Sequence, residues 1–300
     1  MAKWFGKGEI VQIGDLDLWY ESFGVRDNPC FLLIMGGGCQ GILWPDFFCK
    51  KLALLGFFIL RFDLRDTGCS SYFDYEKTPY NLLDMAKDAV LLLDYLHIEK
   101  AHVMGTSMGG AIAQLMAVHF PSKVLTLTLL ASTVDFRNLV NAIQGVSLEG
   151  LPLSSPSKKC LEWIEVFSVT HPHLTWFQKI QKQLEGWKML NGPEIPFDKK
   201  YYGKMMLKTM LRQRSYRTLL NHVSAIVCST ELLLDTLGKI TVPVLVIQGM
   251  QDPIFPKDHG EFLVRSFPQG RLFLVEKMGH NLNSCFCDPI IEEIRSFLRK

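Results

Sequence analysis

The chain lacks any apolar run approaching the ~18 residues of a membrane span, so no stable membrane insertion is expected. Its first seven residues, Met1-Ala-Lys-Trp-Phe-Gly-Lys7, lack the apolar stretch of a secretion leader, and the expected setting is the cytosol. Charge of either sign is not in excess. Lys and Arg number 32 and Asp and Glu 30, a net +2 that argues against a nucleic-acid partner for the whole chain. No metal-ligand spacing is present. Of eight cysteines only Cys285 and Cys287 are close, with one residue between them, which is not a usual structural-zinc spacing. Reduced thiols and no metal are the expectation. The pair His171 and His173 reads as a loop rather than a ligand set. The glycine run after residue 35 is not followed by G-K-[ST], and a phosphate-binding loop is set aside.

What is present is an alternation of strands and helices. Residues 9–24 contain two period-2 stretches, expected as an antiparallel hairpin. Residues 30–35 and 57–62 are near-continuous apolar runs of the kind buried on both sheet faces. Residues 45–55, 81–97 and 111–120 carry helical periodicity, and 100–104 and 124–130 read as strands. The strand rhythm stops near residue 131. Helices are expected over 139–143, 158–169, 174–189, 201–216 and 229–237. Strands resume at 242–248 and 271–276, with helices at 258–266 and 289–298. The predicted fold is α/β: a mostly parallel eight-stranded sheet flanked by helices. Residues 1–133 and 240–300 form its core, and 134–239 a helical cap inserted between the sixth and seventh main strands. Residues 151–220 hold 12 Lys and Arg against five Asp and Glu, with Trp163, Trp176, Trp187, Tyr201 and Tyr202 among them. One reading of such an insert is contact with an anionic substrate or membrane surface. The stronger reading packs its aromatics inward and solvates its lysines.

The chemistry centres on Gly105-Thr-Ser107-Met-Gly109. A G-x-S-x-G run between a short strand and a helix is the context of a nucleophile elbow, where a serine sits on a strained turn that excludes neighbouring side chains. A serine hydroxyl needs a base, and the base needs an acid to fix its tautomer. His280 and Asp252 follow the last two strands, where ligand sites form in a parallel sheet. Asp135 is a rival acid after the strand ending near residue 130. His97, His102, His119, His171, His173, His222 and His259 fall in elements that make them weaker bases. Two backbone donors are needed for the oxyanion. The Met108 amide is one. The other is expected from Met35-Gly36-Gly37-Gly38-Cys39, with Gly37 first and Gly36 next. Trp44, Trp163 and Trp176 are expected to bind substrate.

Taken together, Gly36-Gly37-Gly38, Gly105-Thr-Ser107-Met-Gly109, Gly249-Met-Gln-Asp252-Pro and Gly279-His280 resemble the α/β-hydrolase fold family over nearly the whole chain. The run Arg61-Phe-Asp63-Leu-Arg65-Asp66-Thr-Gly68-Cys-Ser70, with Trp44-Pro45 upstream, is similar to the subgroup containing aclacinomycin methylesterase. That resemblance implies a serine esterase with no cofactor, acting on a small or medium hydrophobic ester through an acyl-enzyme on Ser107. Two positions depart from it: Met35 stands where many members have His, and Cys69 where the subgroup carries a basic residue. Arg65 and Asp66 read as loop braces. The same fold also carries acyltransferases and non-catalytic ligand-binding proteins or receptors, which are the alternative readings.

Overall fold

In the computed structural model, which describes residues 8–147, 149–168, 174–215, 217–235 and 238–299, the expected hairpin forms strands β1 (Glu9–Ile13) and β2 (Leu16–Phe23). Strands β3 (Cys30–Ile34), β4 (Phe58–Phe62), β5 (Ala101–Thr106), β6 (Val124–Leu130), β7 (Val244–Gly249) and β8 (Gly270–Val275) complete one sheet. Its order is β1-β2-β4-β3-β5-β6-β7-β8. From β4 to β8 every pairing is parallel, and β2 lies antiparallel to β4.

The apolar runs explain the layers. In β3, β4 and β7 every residue is buried. Successive side chains point to opposite faces, so each run feeds two cores. Leu32, Ile34, Val103 and Val246 face one core, with helices α2 (Leu82–Tyr95), α3 (Met108–His119) and α10 (Lys257–Arg265). Phe31, Leu33, Met104 and Ile247 face the other, with α1 (Asp46–Leu54) and α11 (Ser284–Leu298). Because β3 and β5–β8 run parallel, the loops that follow them gather at one edge of the sheet. Register brings Ile34 beside Gly105, Thr106 beside Leu130, and Gly249 beside Val275.

Between β6 and β7 lie α4 (Arg137–Gln144), α5 (Lys158–Ser168), α6 (Trp176–Leu190), α7 (Lys199–Arg212), α8 (Thr218–Val227) and α9 (Thr230–Leu234). Helix α8 was not expected from sequence. Six of its ten residues are apolar and five of them share one face, yet the helix buries Thr218, Asn221 and His222 and leaves Leu220 and Val227 exposed, so its burial does not follow its apolar pattern. Helix α7 begins at Lys199, where Asp198 Oδ1 accepts the Tyr201 N–H at 2.9 Å. Helix α11 begins five residues before Pro289, because Asn283 Oδ1 caps it through the Cys285 N–H at 3.1 Å. His171, His173 and Tyr216 lie outside the described residues. Among the described residues no helix is long and apolar enough to cross a membrane, and no group of three or more His, Cys, Asp or Glu is placed to hold a metal.

Candidate active site

Ser107 closes β5 and opens α3 with φ 53° and ψ −125°, a conformation that costs energy for a residue with a Cβ. Two hydrogen bonds hold it there. The Ser107 N–H donates to Leu130 O at 3.0 Å, and Ser132 Oγ donates to Ser107 O at 2.7 Å. The turn is so tight that a Cβ on Gly105 would lie 2.1 Å from Gly109 O, and one on Gly109 would lie 2.3 Å from Ile34 O. Both obstacles are backbone and cannot swing aside. Gly105→Ala is therefore expected to destabilise the protein by about 1–3 kcal/mol, as overpacked cores do. The drop would be read as a lower urea midpoint at unchanged slope. An unchanged midpoint would show that the elbow is looser than its geometry.

Asp252 and His280 meet at the same sheet edge. The His280 Nδ1–H donates to Asp252 Oδ2 at 2.8 Å. Asp252 Oδ1 accepts the Ile254 and Phe255 N–H groups at 2.8 and 3.0 Å, and Gln248 Nε2 donates to Oδ2 at 3.3 Å. The acceptor-only carboxylate requires the proton on Nδ1, which leaves the Nε2 lone pair free to accept one. The Phe255 ring meets the imidazole edge-on at 5.6 Å. Helix α6 steadies this loop: Leu190 O accepts the His280 N–H at 2.8 Å, and Asn281 Nδ2 donates to Trp187 O at 3.0 Å. Asp135 is occupied elsewhere, since both its oxygens accept from the Arg137 guanidinium at 2.9 and 2.6 Å. His102 is bonded to Thr126 across the sheet, and His259 to Thr133 and Ser154.

The glycine loop after β3 passes directly over the serine. A Cβ on Gly36 would sit 3.2 Å from Ser107 Cβ and 3.8 Å from Oγ, and one on Gly37 would sit 3.5 Å from Met108 Sδ. The Met108 N–H belongs to the first turn of α3, where helix amides have no carbonyl behind them. The helix N-terminus adds a partial positive charge at that spot. Ser107 and His280 line one cavity of ≈ 250 Å³ with the Gly36–Gly38 loop and Met108. Trp44, Trp163, Trp187, Tyr201 and Met205 line it as well, and among the described residues no Asp, Glu, Lys or Arg does. Trp44 is buried and stacks on Phe48 with ring centroids 5.8 Å apart.

Trp176 departs from expectation. It is 51% exposed at the start of α6 and is not among the cavity-lining residues, whereas Trp187 is. The two share nearly one helix face, but eleven residues separate them by about 16 Å along the axis. The excess lysines of the insert point outward, with Lys158, Lys179, Lys199, Lys200 and Lys204 all exposed. Arg65 forms a bidentate pair with Asp88, both bonds 2.6 Å. Asp66 accepts from Tyr80 Oη, Asn221 Nδ2 and the Phe73 N–H, so both residues brace the loop after β4.

Sequence reasoning missed two residues that tie the insert to these loops. The fully buried Arg212 of α7 pairs with buried Asp63, donates to Gln40 Oε1 at 3.0 Å and lies 4.1 Å above the Trp19 ring. His222 of α8 reaches Gly38. An arginine among the apolar residues of a helix was the available signal for the first. The second depends on a contact between residues 184 positions apart, which no local pattern encodes.

Residues 29–284 match the family model described as the alpha/beta hydrolase fold. The chain is 34% identical over 299 residues to the rhodomycin D methylesterase of Streptomyces sp. strain C5, covering 97% of each chain. It is 33% identical to the rhodomycin D methylesterase of Streptomyces peucetius, with 97% of each covered. Among solved structures it is similar to an esterase from Exiguobacterium antarcticum, with a TM-score of 0.74 and 20% identity, covering 98% of this chain and all of that one. That likeness bears on the fold alone.

Proposed function

The chain belongs to the α/β-hydrolase fold family, and from that premise we propose that it is a methylesterase whose nucleophile is Ser107. It is a serine-esterase-type hydrolase acting on small-molecule esters. The finer reading assigns the parts. His280 Nε2 takes the Ser107 Oγ proton as Oγ attacks the ester carbonyl carbon. The Met108 and Gly37 N–H groups receive the oxyanion, with Gly36 shaping the turn. The tetrahedral intermediate collapses, the bond to the alkoxy oxygen breaks, and His280 returns the proton to the departing alcohol. Water then attacks the acyl-enzyme with His280 again as base, releasing the acid and Ser107. Asp252 holds the imidazole tautomer and stabilises its charged form. In this reading the helical insert over residues 134–239 is the cap that covers the site.

The observation that carries the reading is the His280–Asp252 pair beside a strained Ser107 in one cavity. The methyl-ester preference rests on the two Streptomyces relatives. A cavity lined by Trp44, Trp163 and other uncharged side chains supports a neutral, hydrophobic acyl portion. The eight unpaired thiols support a reducing, cytosolic setting. Proton release followed by pH-stat on methyl and butyl esters of one aromatic acid tests it. The methyl ester is expected to show the higher kcat/KM by about tenfold or more, tenfold being the low end for a single misfit methylene. Preference for the butyl ester would overturn the methylesterase reading and leave an esterase with a wider alcohol pocket.

A further inference from the structure

We infer that His222, on helix α8 of the insert, is a positioning residue that fixes the oxyanion loop by accepting the Gly38 N–H. This rests on the Ser107 esterase reading above. His222 is fully buried, and both ring nitrogens are engaged. The Gly38 N–H donates to Nδ1 at 2.9 Å, and Nε2 lies 2.9 Å from Arg65 O. An amide N–H only donates and a carbonyl only accepts, so the ring has its lone pair on Nδ1 and its proton on Nε2. The tautomer is set from both sides. Burial also pushes the pKa of His222 below its ordinary value, against the hydrogen bond to Arg65 O and the nearby Asp66 charge. The ring is thus held neutral, the only form that can accept from Gly38.

The bond matters because of where Gly38 stands. The Cys39 N–H donates to Gly36 O at 3.2 Å, closing a four-residue turn over residues 36–39. Gly38 is third in that turn, with φ +69°. The peptide between the second and third residues lies outside a turn's own hydrogen bond. Flipping it interconverts the common turn types, and glycine at both central positions removes the steric barrier to doing so. Here that peptide joins Gly37 to Gly38, and its N–H is the one His222 holds. Such a flip turns ψ of Gly37 and φ of Gly38 and leaves the Gly37 N–H on its own peptide, so the His222 bond acts by pinning the turn that carries that N–H in place over Ser107. Leu219, three residues before His222 on the same helix face, closes the other side: a Cβ on Gly38 would lie 3.0 Å from its Cδ1. The far end of the ring is anchored to a braced loop, since Arg65 is itself locked to Asp88. Docking of α8 is therefore part of assembling the oxyanion site as well as of covering it.

Two variants of similar size separate positioning from bulk structure. In His222→Asn the side-chain oxygen can stand near the Nδ1 position and accept from Gly38. In His222→Gln the amide reaches toward the Nε2 position and leaves the Gly38 N–H unpartnered. We expect His222→Gln to lower kcat by roughly tenfold to a hundredfold with little change in KM, below the full loss of an oxyanion donor. His222→Asn should recover most of that loss. Affinity for a trifluoromethyl ketone, which forms a tetrahedral oxyanion adduct on serine, should fall in step with kcat/KM for the Gln variant only. Equal kcat in the two variants at equal urea midpoints would overturn the proposal, as would a kcat loss without any loss of ketone affinity. If the wild-type protein neither hydrolyses esters nor forms an adduct on Ser107, the esterase reading itself fails, and this proposal with it.

Discussion

Ser107→Ala is expected to lower kcat by about 10⁴–10⁶-fold while leaving KM and the urea midpoint near wild type. The substitution removes one oxygen and keeps the Cβ. The positive φ, the N–H bond to Leu130 O and the Ser132 contact to the backbone carbonyl all survive it. Residual turnover is expected to stay above the uncatalysed rate, because the proposed oxyanion donors and the apolar cavity remain. Turnover of a nitrophenyl ester under saturating conditions checks it. A loss smaller than about tenfold would mean that another group attacks the ester.

The second large effect belongs to Asp252, the proposed acid. Asp252→Asn is expected to lower kcat by about 10³–10⁴-fold, and the structure gives the reason. Oδ1 of Asp252 accepts two backbone N–H groups, so the carbonyl oxygen of an asparagine takes that place. Its NH2 then faces His280 Nδ1, donates to it, and drives the ring proton to Nε2. An imidazole protonated at Nε2 cannot accept the serine proton. Asp135→Asn is the matched control. Asp135 is committed to Arg137, so kcat should stay within about threefold. Steady-state rates for the two variants decide between the carboxylates. A loss in the Asp135 variant comparable to that in the Asp252 variant would reopen the assignment.

Much of the sheet was legible because its physics is local. Cys30–Ile34 and Val244–Gly249 are apolar at nearly every position, as strands covered on both faces must be. The elbow was legible because Gly105 and Gly109 answer a close backbone approach that admits no other side chain. The meeting of Asp252 and His280 was legible from their place after the last two strands. Asp135 occupied a similar place, and the structure separates the two by pairing Asp135 with Arg137 and Asp252 with His280. The insert was harder to read. Its helices bury against loops that come from elsewhere in the chain, so the pattern within each helix says little about which side chain reaches the cavity. Trp176 and Trp187 have the same residue type on nearly the same face, and position along the axis decides between them. His222 and Arg212 act through Gly38 and Asp63, partners more than 140 residues away. Such contacts are products of the fold and leave no trace in spacing.

The central claim is that one serine, on one strained turn, carries the chemistry. A fluorophosphonate that phosphonylates activated serines tests it when the labelled protein is digested and the modified peptide sequenced by mass spectrometry. A single adduct per chain is expected, located on Ser107, absent in Ser107→Ala and formed far more slowly in Asp252→Asn. A folded wild-type protein that takes no label, or takes it on another residue, would contradict it.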